Sequence, residues 1–283
     1  MPPRAPSQLA RNRVGHHPDK EVNSRSESPY LQQYHHFRTD LRMLEWLNMR
    51  LPKAITRIVN KERIVLRQKA GQHQIKRLID LLDESLKLLE KPVGSKSSIQ
   101  FSDETVKLLM KFAEQKMFEN RGTMFIRDMS LVYLIATYEI FLGEILSILF
   151  EGRPEALKST CKELTTEELI MCKDIRTVIR RISEREVELV IHQDVEETRM
   201  YFKDRLGVDL RQFTNWREFS ERFYRRNIIV HNSGMTNEIY RRKTGYKGKD
   251  KHIGVSQAYL IESIQLFEST AKKISEHFQL KFG

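Results

Sequence analysis

An arginine and a histidine on either side of a short apolar run are the residues of this chain whose types and spacing could do chemistry. Arg226 and His231 frame the run Arg-Asn-Ile-Ile-Val-His, and Asn-Ser-Gly follows at once. Cleavage of RNA without a metal needs a base for the ribose 2′-hydroxyl, a cation for the pentavalent phosphorane and a proton for the leaving oxygen. Imidazole can act as base and acid because it titrates near neutrality. A guanidinium stays charged and fits phosphate oxygens bidentately, so the pair suits phosphodiester cleavage.

The pair is predicted to lie near the end of a capped helix. Asn215 and Glu218 have the spacing of a capping box, and Gly234 suits the left-handed residue that ends a helix. The predicted core face carries Trp216, Phe219, Phe223 and Val230. His231 therefore falls in the last turn, where the helix dipole favours a protonated imidazole. Asn227, one turn earlier, shares its face and could orient the ring or the phosphate.

The sequence around the pair is the most basic part of the chain. Between residues 222 and 251, nine basic and two acidic residues give a local charge of +7, within a net charge of +11. This charge indicates a polyanionic partner, and tyrosines between the cations could stack on unpaired bases. The candidate RNA-binding residues are Arg222, Tyr240, Arg241, Arg242, Lys243, Tyr246, Lys247, Lys249 and Lys251, with Arg225, Asn227 and Asn232 as support for the pair. From charge alone, an exposed basic loop without a specific ligand is the competing interpretation.

The composition indicates a folded protein of the cytosol without a bound metal or cofactor. A chain of 283 residues with 40% hydrophobic content can bury a substantial core. Cys161 and Cys172 have no further Cys or His nearby at the spacing of metal ligands, and two cysteines do not indicate a disulfide framework. A reducing compartment is therefore expected. The N-terminus lacks the apolar core of a signal peptide. The most apolar stretch, Met129 to Phe150, contains Glu139 and Glu144, which favours a buried helix over a membrane span.

Apolar residues recur at intervals of three and four along almost the whole chain, which predicts an all-α fold. We expect a flexible tail over residues 1–35 and a helical arm over 36–95. In the arm, a short helix at Asp40–Arg50 should precede a long one that begins near Pro52. The long helix could pack within the chain or form a coiled-coil contact with another protein. A linker at 91–100 then marks the boundary of a helical domain over 100–283.

Capping signals predict where the helices of this domain start and stop. A helix that begins near Ser102 is expected to end around Gly122, before the apolar helix begins. Capping boxes at Thr165 and Asp194, each with a glutamate three positions later, should open two more helices. The first of these is predicted to run on to Ile182.

The segment around the pair resembles a known protein family. It reads Arg-Arg-Asn-Ile-Ile-Val-His-Asn-Ser-Gly-Met-Thr-Asn-Glu-Ile-Tyr, on a late helix that follows an apolar core helix. This context and the Arg-x4-His spacing resemble the HEPN superfamily (Higher Eukaryotes and Prokaryotes Nucleotide-binding), over about residues 100–283. The resemblance implies a HEPN-like helical bundle with an added N-terminal arm. It also implies a homodimer in which two copies of Arg226 and His231 face each other and leave 2′,3′-cyclic phosphate ends.

One departure from the family pattern concerns regulation. In the HEPN toxins paired with nucleotidyltransferase antitoxins a tyrosine stands two positions after the histidine, whereas this chain has Ser233. Control by modification of that tyrosine is therefore not expected.

Three functions fit the sequence. The favoured prediction is a metal-independent endoribonuclease, a toxin or defence effector like many HEPN relatives, with RNA and a second copy as partners and no membrane. One alternative is a non-catalytic HEPN-type module that binds RNA or nucleotides. Another is a helical adaptor whose N-terminal arm recruits a protein while Arg226 and His231 are structural. Glu139 and Glu144 could assist the site or neutralise nearby arginines.

Overall fold

The computed structural model describes residues 28–89, 103–157 and 164–283. Over these ranges the regular structure is helical, with one isolated bridge between Met235 and His252. The predicted all-α fold is confirmed. The helices are α1 (Pro29–Leu89), α2 (Asp103–Gly152), α3 (Thr166–Ile170), α4 (Ile175–Ile191), α5 (Val195–Leu206), α6 (Trp216–Asn232), α7 (Glu238–Thr244) and α8 (Gln257–Phe282), with 3-10 turns at Pro154–Leu157 and Leu210–Phe213.

Helices α1 and α2 are longer than predicted because they pass through two expected breaks. Helix α1 continues through Pro52, and α2 continues through Gly122. Pro52 removes a helix donor, but α1 is held against α2 nearby, where Asn48 Nδ2 donates to Ser130 Oγ at 2.6 Å. At Gly122 the helices approach closely, since an added Cβ would lie 3.3 Å from Ile55 Cδ1. Packing between the helices therefore overrides the local breaking signals.

The first turns of α1 belong to the main hydrophobic core. Tyr30, Tyr34 and Phe37 are buried, and the Phe37 ring centroid lies 5.3 Å from that of Phe141 on α2. The prediction of a tail as far as residue 35 was therefore wrong for 29–35, because aromatic residues at helical spacing gain from burial. Residues 1–27 of the predicted tail, the linker at 91–100 and the cap at Ser102 lie outside the described residues.

Two predicted capping boxes are present and a third is absent. Thr165 and Asp194 form the expected boxes. However, α3 ends at Ile170 and α4 starts anew, because Asp174 accepts a hydrogen bond from the Thr177 N–H at 2.7 Å and caps it. The predicted single helix as far as Ile182 is therefore two helices. Asn215 precedes α6 but makes no side-chain cap hydrogen bond.

The centre of the core fixes α6 between α2 and α8. Tyr138 of α2 is buried, and its ring meets Phe219 of α6 and Phe267 of α8 edge-on, with centroids 5.3 and 4.9 Å away. Burial raises the pKa of the Tyr138 phenol. The core face of α8 consists of the buried residues Leu260, Ile264, Phe267, Ala271, Ile274 and Phe278. This packing positions the helix that carries Arg226 and His231.

Helix α6 runs antiparallel to α2. Near the start of α6, Phe219 lines the same small cavity as Leu142 of α2. After its end the chain returns to an earlier part of α2, where the Val255 N–H donates to Asp128 Oδ1 at 2.9 Å. The last turn of α6 therefore lies at the level of the middle of α2.

By length and composition, α2 could cross a membrane over Val106–Gly152, and half of the apolar window is buried in the described structure. The buried side packs against α1, α4, α6 and α8. Packing in the core is thus sufficient to account for the apolar sequence.

Candidate functional site

The last turn of α6 is built as predicted. Gly234 has a left-handed backbone with φ 77°, and its N–H donates to the Ile228 carbonyl oxygen at 2.9 Å. Ser233 is also left-handed, with φ 50°. Asn232 Nδ2 donates to the Met235 carbonyl oxygen at 2.6 Å and secures the turn that follows. Asn232 therefore supports the shape of the helix end.

His231 lies exposed in this last turn. Among the described residues it has no hydrogen-bond or ion-pair partner, and Asn227, one turn earlier, is exposed too. The prediction that Val230 lies on the core face was wrong, because this side chain is 48% exposed, whereas Ile228 and Ile229 before it are buried. An exposed apolar side chain thus lies next in sequence to an imidazole that is open to a ligand.

Arg226 contacts the carboxylate of Glu139 on α2. Arg226 Nη2 binds Glu139 Oε1, and both side chains are about one quarter exposed, at 24% and 25%. Burial raises the pKa of Glu139, against the lowering effects of Arg226 and of His192 at the end of α4. Glu139 therefore neutralises an arginine, one of the two roles considered for it, whereas Glu144 is exposed. In the described structure Arg226 Nε and Nη1 make no hydrogen bond, so they could meet a phosphate.

Arg225 belongs to a different environment, which we call the Glu221 cluster: Glu221, Arg225, Tyr240 and Tyr259. The Glu221 carboxylate accepts hydrogen bonds from Arg225 Nε at 2.8 Å, Tyr240 Oη at 2.6 Å and Tyr259 Oη at 2.5 Å. The Arg225 guanidinium lies 4.2 Å from the Tyr259 ring centroid. Burial and the Glu221 hydrogen bond raise the pKa of Tyr240 to about 12. The cluster joins α6, α7 and α8.

Two predicted RNA-binding residues lie in the interior. Arg222 is buried, and its Nη1 donates to the Glu218 carbonyl oxygen at 2.9 Å. Tyr240 is buried within the Glu221 cluster. The structure therefore does not support direct RNA contact for these two, because their polar groups already have protein partners. Counting charges along the sequence could not separate such residues from exposed ones.

The remaining basic candidates lie on α7 and the loop that follows it. Arg241 pairs with Asp250, and Lys243 Nζ lies 3.7 Å from Asp194 Oδ1. Tyr246 is half-buried, with Lys251 Nζ 5.9 Å from its ring centroid. The exposed candidates are Arg242, Lys243, Lys247, Lys249 and Lys251. They give this side of α6 a basic surface.

A second histidine lies at the helix end that carries His231, and sequence reasoning missed it. His252 bridges to Met235, and the Ile253 N–H donates to the Gly234 carbonyl oxygen at 2.8 Å. A Cβ at Gly234 would lie 2.7 Å from His252 Nε2, so any other residue here would have to displace this ring as well as adopt the left-handed backbone. The contact joins segments from either side of α7, and no local pattern in the sequence indicates it.

Helix α2 has an exposed apolar row at the level of the last turn of α6, which we call the proximal stripe: Met129, Tyr133, Ala136 and Ile140. Its members recur at intervals of four, three and four, so they share one side of the helix. Tyr133 and Ile140 are 48% and 59% exposed. An exposed apolar row of this kind is typical of a protein contact surface.

No group of three or more His, Cys, Asp or Glu side chains within residues 28–89, 103–157 and 164–283 is placed to hold a metal ion. Comparison with known proteins found no matching protein-family model, no matching curated protein and no matching solved structure.

Proposed function

We propose that this protein is a metal-independent endoribonuclease of the HEPN type, in which Arg226 and His231 of two protomers form the site. The observation that carries the proposal is the exposed His231 in the last turn of α6, without a partner among the described residues. Because its side chain is exposed and unpaired there, the imidazole is free to reach a phosphodiester. A role as toxin or defence effector in the cytosol belongs to the same proposal.

The chemistry follows from the two side chains. His231 takes the 2′-hydroxyl proton, and the oxygen so activated attacks the adjacent phosphorus. Arg226 offers Nε and Nη1 to the phosphorane oxygens while Glu139 holds Nη2. The 5′-oxygen leaves with a proton, and the product end is a 2′,3′-cyclic phosphate. Base and acid roles at one phosphate are most easily filled by two imidazoles, and His231 of a second copy can supply the other.

The exposed apolar surface favours pairing of two protomers near the site. The proximal stripe and Val230 lie at the level of the last turn of α6. Covering them with the same surface of a second copy would bury apolar area and bring two His231 side chains together. The exposed basic residues on and after α7 would then flank the shared site and hold the RNA backbone.

The decisive experiment is incubation of the full chain with RNA in EDTA, followed by analysis of the new ends. We expect 2′,3′-cyclic phosphate from the wild type and loss of cleavage in Arg226→Ala and His231→Ala. His36→Ala and Arg180→Ala are matched controls, because both side chains are exposed on other helices. If the wild type leaves diverse RNAs intact but binds them with steep salt dependence, the non-catalytic binding module replaces this proposal.

A further inference from the structure

The first half of α2 carries a second exposed surface, which is separate from the proximal stripe. We call it the distal face: Met110, Glu114, Met117, Phe118, Arg121 and Phe125. Met110, Phe118 and Phe125 are 62%, 63% and 62% exposed. A single exposed apolar residue is ordinary, whereas a row of methionine and phenylalanine along two or more turns indicates a contact surface.

The same side of α2 is covered further along the helix. Positions 18 residues apart are about five helical turns apart, so Arg121 and Phe125 share a side with Glu139 and Gly143. There Glu139 binds α6, and a Cβ at Gly143 would lie 3.2 Å from Val187 Cγ1 of α4. Within the described residues, nothing takes the place of α4 and α6 on the distal face.

Helix α1 packs beside the distal face without covering it. Arg63 of α1 pairs with Glu119 at 3.2 Å, and Gln115 donates to Glu62 at 3.3 Å, so both contacts use a neighbouring side of α2. Between the helices is an open groove of about 760 Å³, bordered by Ile55 of α1. Phe118 and Phe125 line its other wall, and the groove has room for side chains from another molecule.

We propose that the distal face binds the same face of a second copy, with the two α2 helices antiparallel and Glu114 opposite Arg121 of the second copy. In a two-fold pair of antiparallel helices, the numbers of opposite residues add to a constant. The register that pairs Glu114 with Arg121 therefore also places Met110 opposite Phe125. Met117 meets Phe118 beside the two-fold axis. This one register therefore gives two Glu114–Arg121 ion pairs, one on each side of the axis, and the apolar contacts between them.

The charges select a second copy over other partners. Among the six residues of the distal face Glu114 is acidic and Arg121 is basic, so a polyanion such as RNA would meet a repelling carboxylate beside the attracting guanidinium. A uniformly acidic or basic protein surface would likewise leave one charge unmatched. The same face of a second copy matches both. This contact uses none of the residues of the proposed ribonuclease site and does not rest on that activity.

Charge reversal with rescue tests both the contact and its register. Light scattering of the full chain should show that Glu114→Arg or Arg121→Glu each halves the mass of the wild-type assembly, because like charges then meet twice. We expect the dissociation constant of this contact to rise about tenfold or more. The double variant should recover the wild-type mass, and so should a mixture of the two single variants. Arg180→Glu, which reverses an exposed charge on α4, is the control.

Phe125→Asp gives a second test that does not depend on ion pairs. Its side chain is exposed in the single chain, so the fold should persist while the assembly loses half its mass. Circular dichroism of each variant checks that the helices remain. An unchanged mass in the single variants and in Phe125→Asp would overturn the proposal, and this is the result expected if another segment of the chain covers the face. Failure of the double variant to restore the mass would overturn the antiparallel register.

Discussion

Two adjacent arginines of α6 have opposite environments. Arg225 is enclosed, since its guanidinium nitrogens donate to Glu221, Tyr240 and the Gly254 carbonyl oxygen and the group lies over the Tyr259 ring. Arg226 contacts one carboxylate, that of Glu139. One step along the helix therefore separates an arginine whose hydrogen bonds are filled by the protein from one that keeps donors for a ligand.

The difference between Arg225 and Arg226 shows that some basic residues of this segment stabilise the fold, whereas others remain available to bind a ligand. A buried charge must be paired and hydrogen-bonded, so the Glu221 cluster contributes to the stability of the joint between α6, α7 and α8. The incompletely paired Arg226 and the exposed His231 have fewer protein contacts, so they should contribute less to stability and remain available for the proposed chemistry. Substitutions in the Glu221 cluster should therefore lower stability, whereas substitution of His231 should lower activity and leave stability nearly unchanged.

The largest expected effect is on RNA cleavage at the open end of α6. His231→Ala should reduce the cleavage rate by about 100-fold or more, because general acid and base catalysis contributes that much. The free energy of unfolding should stay within about 0.5 kcal/mol of the wild type, since His231 is exposed. Single-turnover cleavage and urea unfolding on the same preparation measure both. A large loss of stability with full activity would reverse the assignment of the two regions.

The largest effect on stability is expected at Arg225. Arg225→Ala removes a partner from the partly buried Glu221 carboxylate, so the free energy of unfolding should fall by about 3 kcal/mol. Arg226→Ala should cost less, because Glu139 remains more exposed than Glu221, at 25% against 17%. Urea unfolding of the two variants side by side is the measurement. Equal losses would show that the two arginines do not differ as their contacts indicate.

A smaller effect is expected from a single hydroxyl of the Glu221 cluster. Tyr259→Phe keeps the ring beside Arg225 but removes the hydrogen bond to Glu221, so stability should fall by about 1 kcal/mol. Tyr133→Phe, which changes an exposed tyrosine of the proximal stripe, is the matched control and should be neutral. A neutral Tyr259→Phe would mean that Glu221 is satisfied without this bond.

The smallest effect concerns the pH dependence that Glu139 gives to stability. Burial raises its pKa above the ordinary value of 4.5, so the folded protein holds this proton more tightly than the unfolded chain does. Stability from this group is present below about pH 4.5 and is lost as the pH rises through the folded-state pKa. Glu139→Gln has no carboxyl group at this position, so its stability lacks this contribution to the pH dependence. The stability of the wild type relative to the variant should therefore decline with rising pH, as urea unfolding between about pH 4 and 7 can measure.

Patterns that depend on near neighbours could be predicted from the sequence. The all-α fold, the capping boxes at Thr165 and Asp194 and the glycine at the end of α6 all follow from residues a few positions apart. The position of His231 in the last turn follows from the same local rules.

Features that depend on distant contacts could not be predicted. Pro52 and Gly122 read as breaks because nothing nearby in sequence indicates how α1 and α2 support each other. Arg222 and Arg242 look equivalent in a count of charge, yet one is buried and the other exposed. Likewise, His252 reaches Gly234 through a backbone pairing between segments on either side of α7.

The unbroken helix α2 also sets a long distance within the protein. Its 50 residues span about 75 Å. In the proposed pair of copies, the two-fold axis passes between Met117 and Phe118. The Glu139 carboxylate, which binds Arg226, then lies about 32 Å from this axis in each copy. The two Glu139 carboxylates of this pair are then roughly 65 Å apart, so the two copies joined by the distal face would each complete the proposed site with a further copy rather than with each other. Distance measurements between spin labels placed on α2 of each copy could read this separation directly.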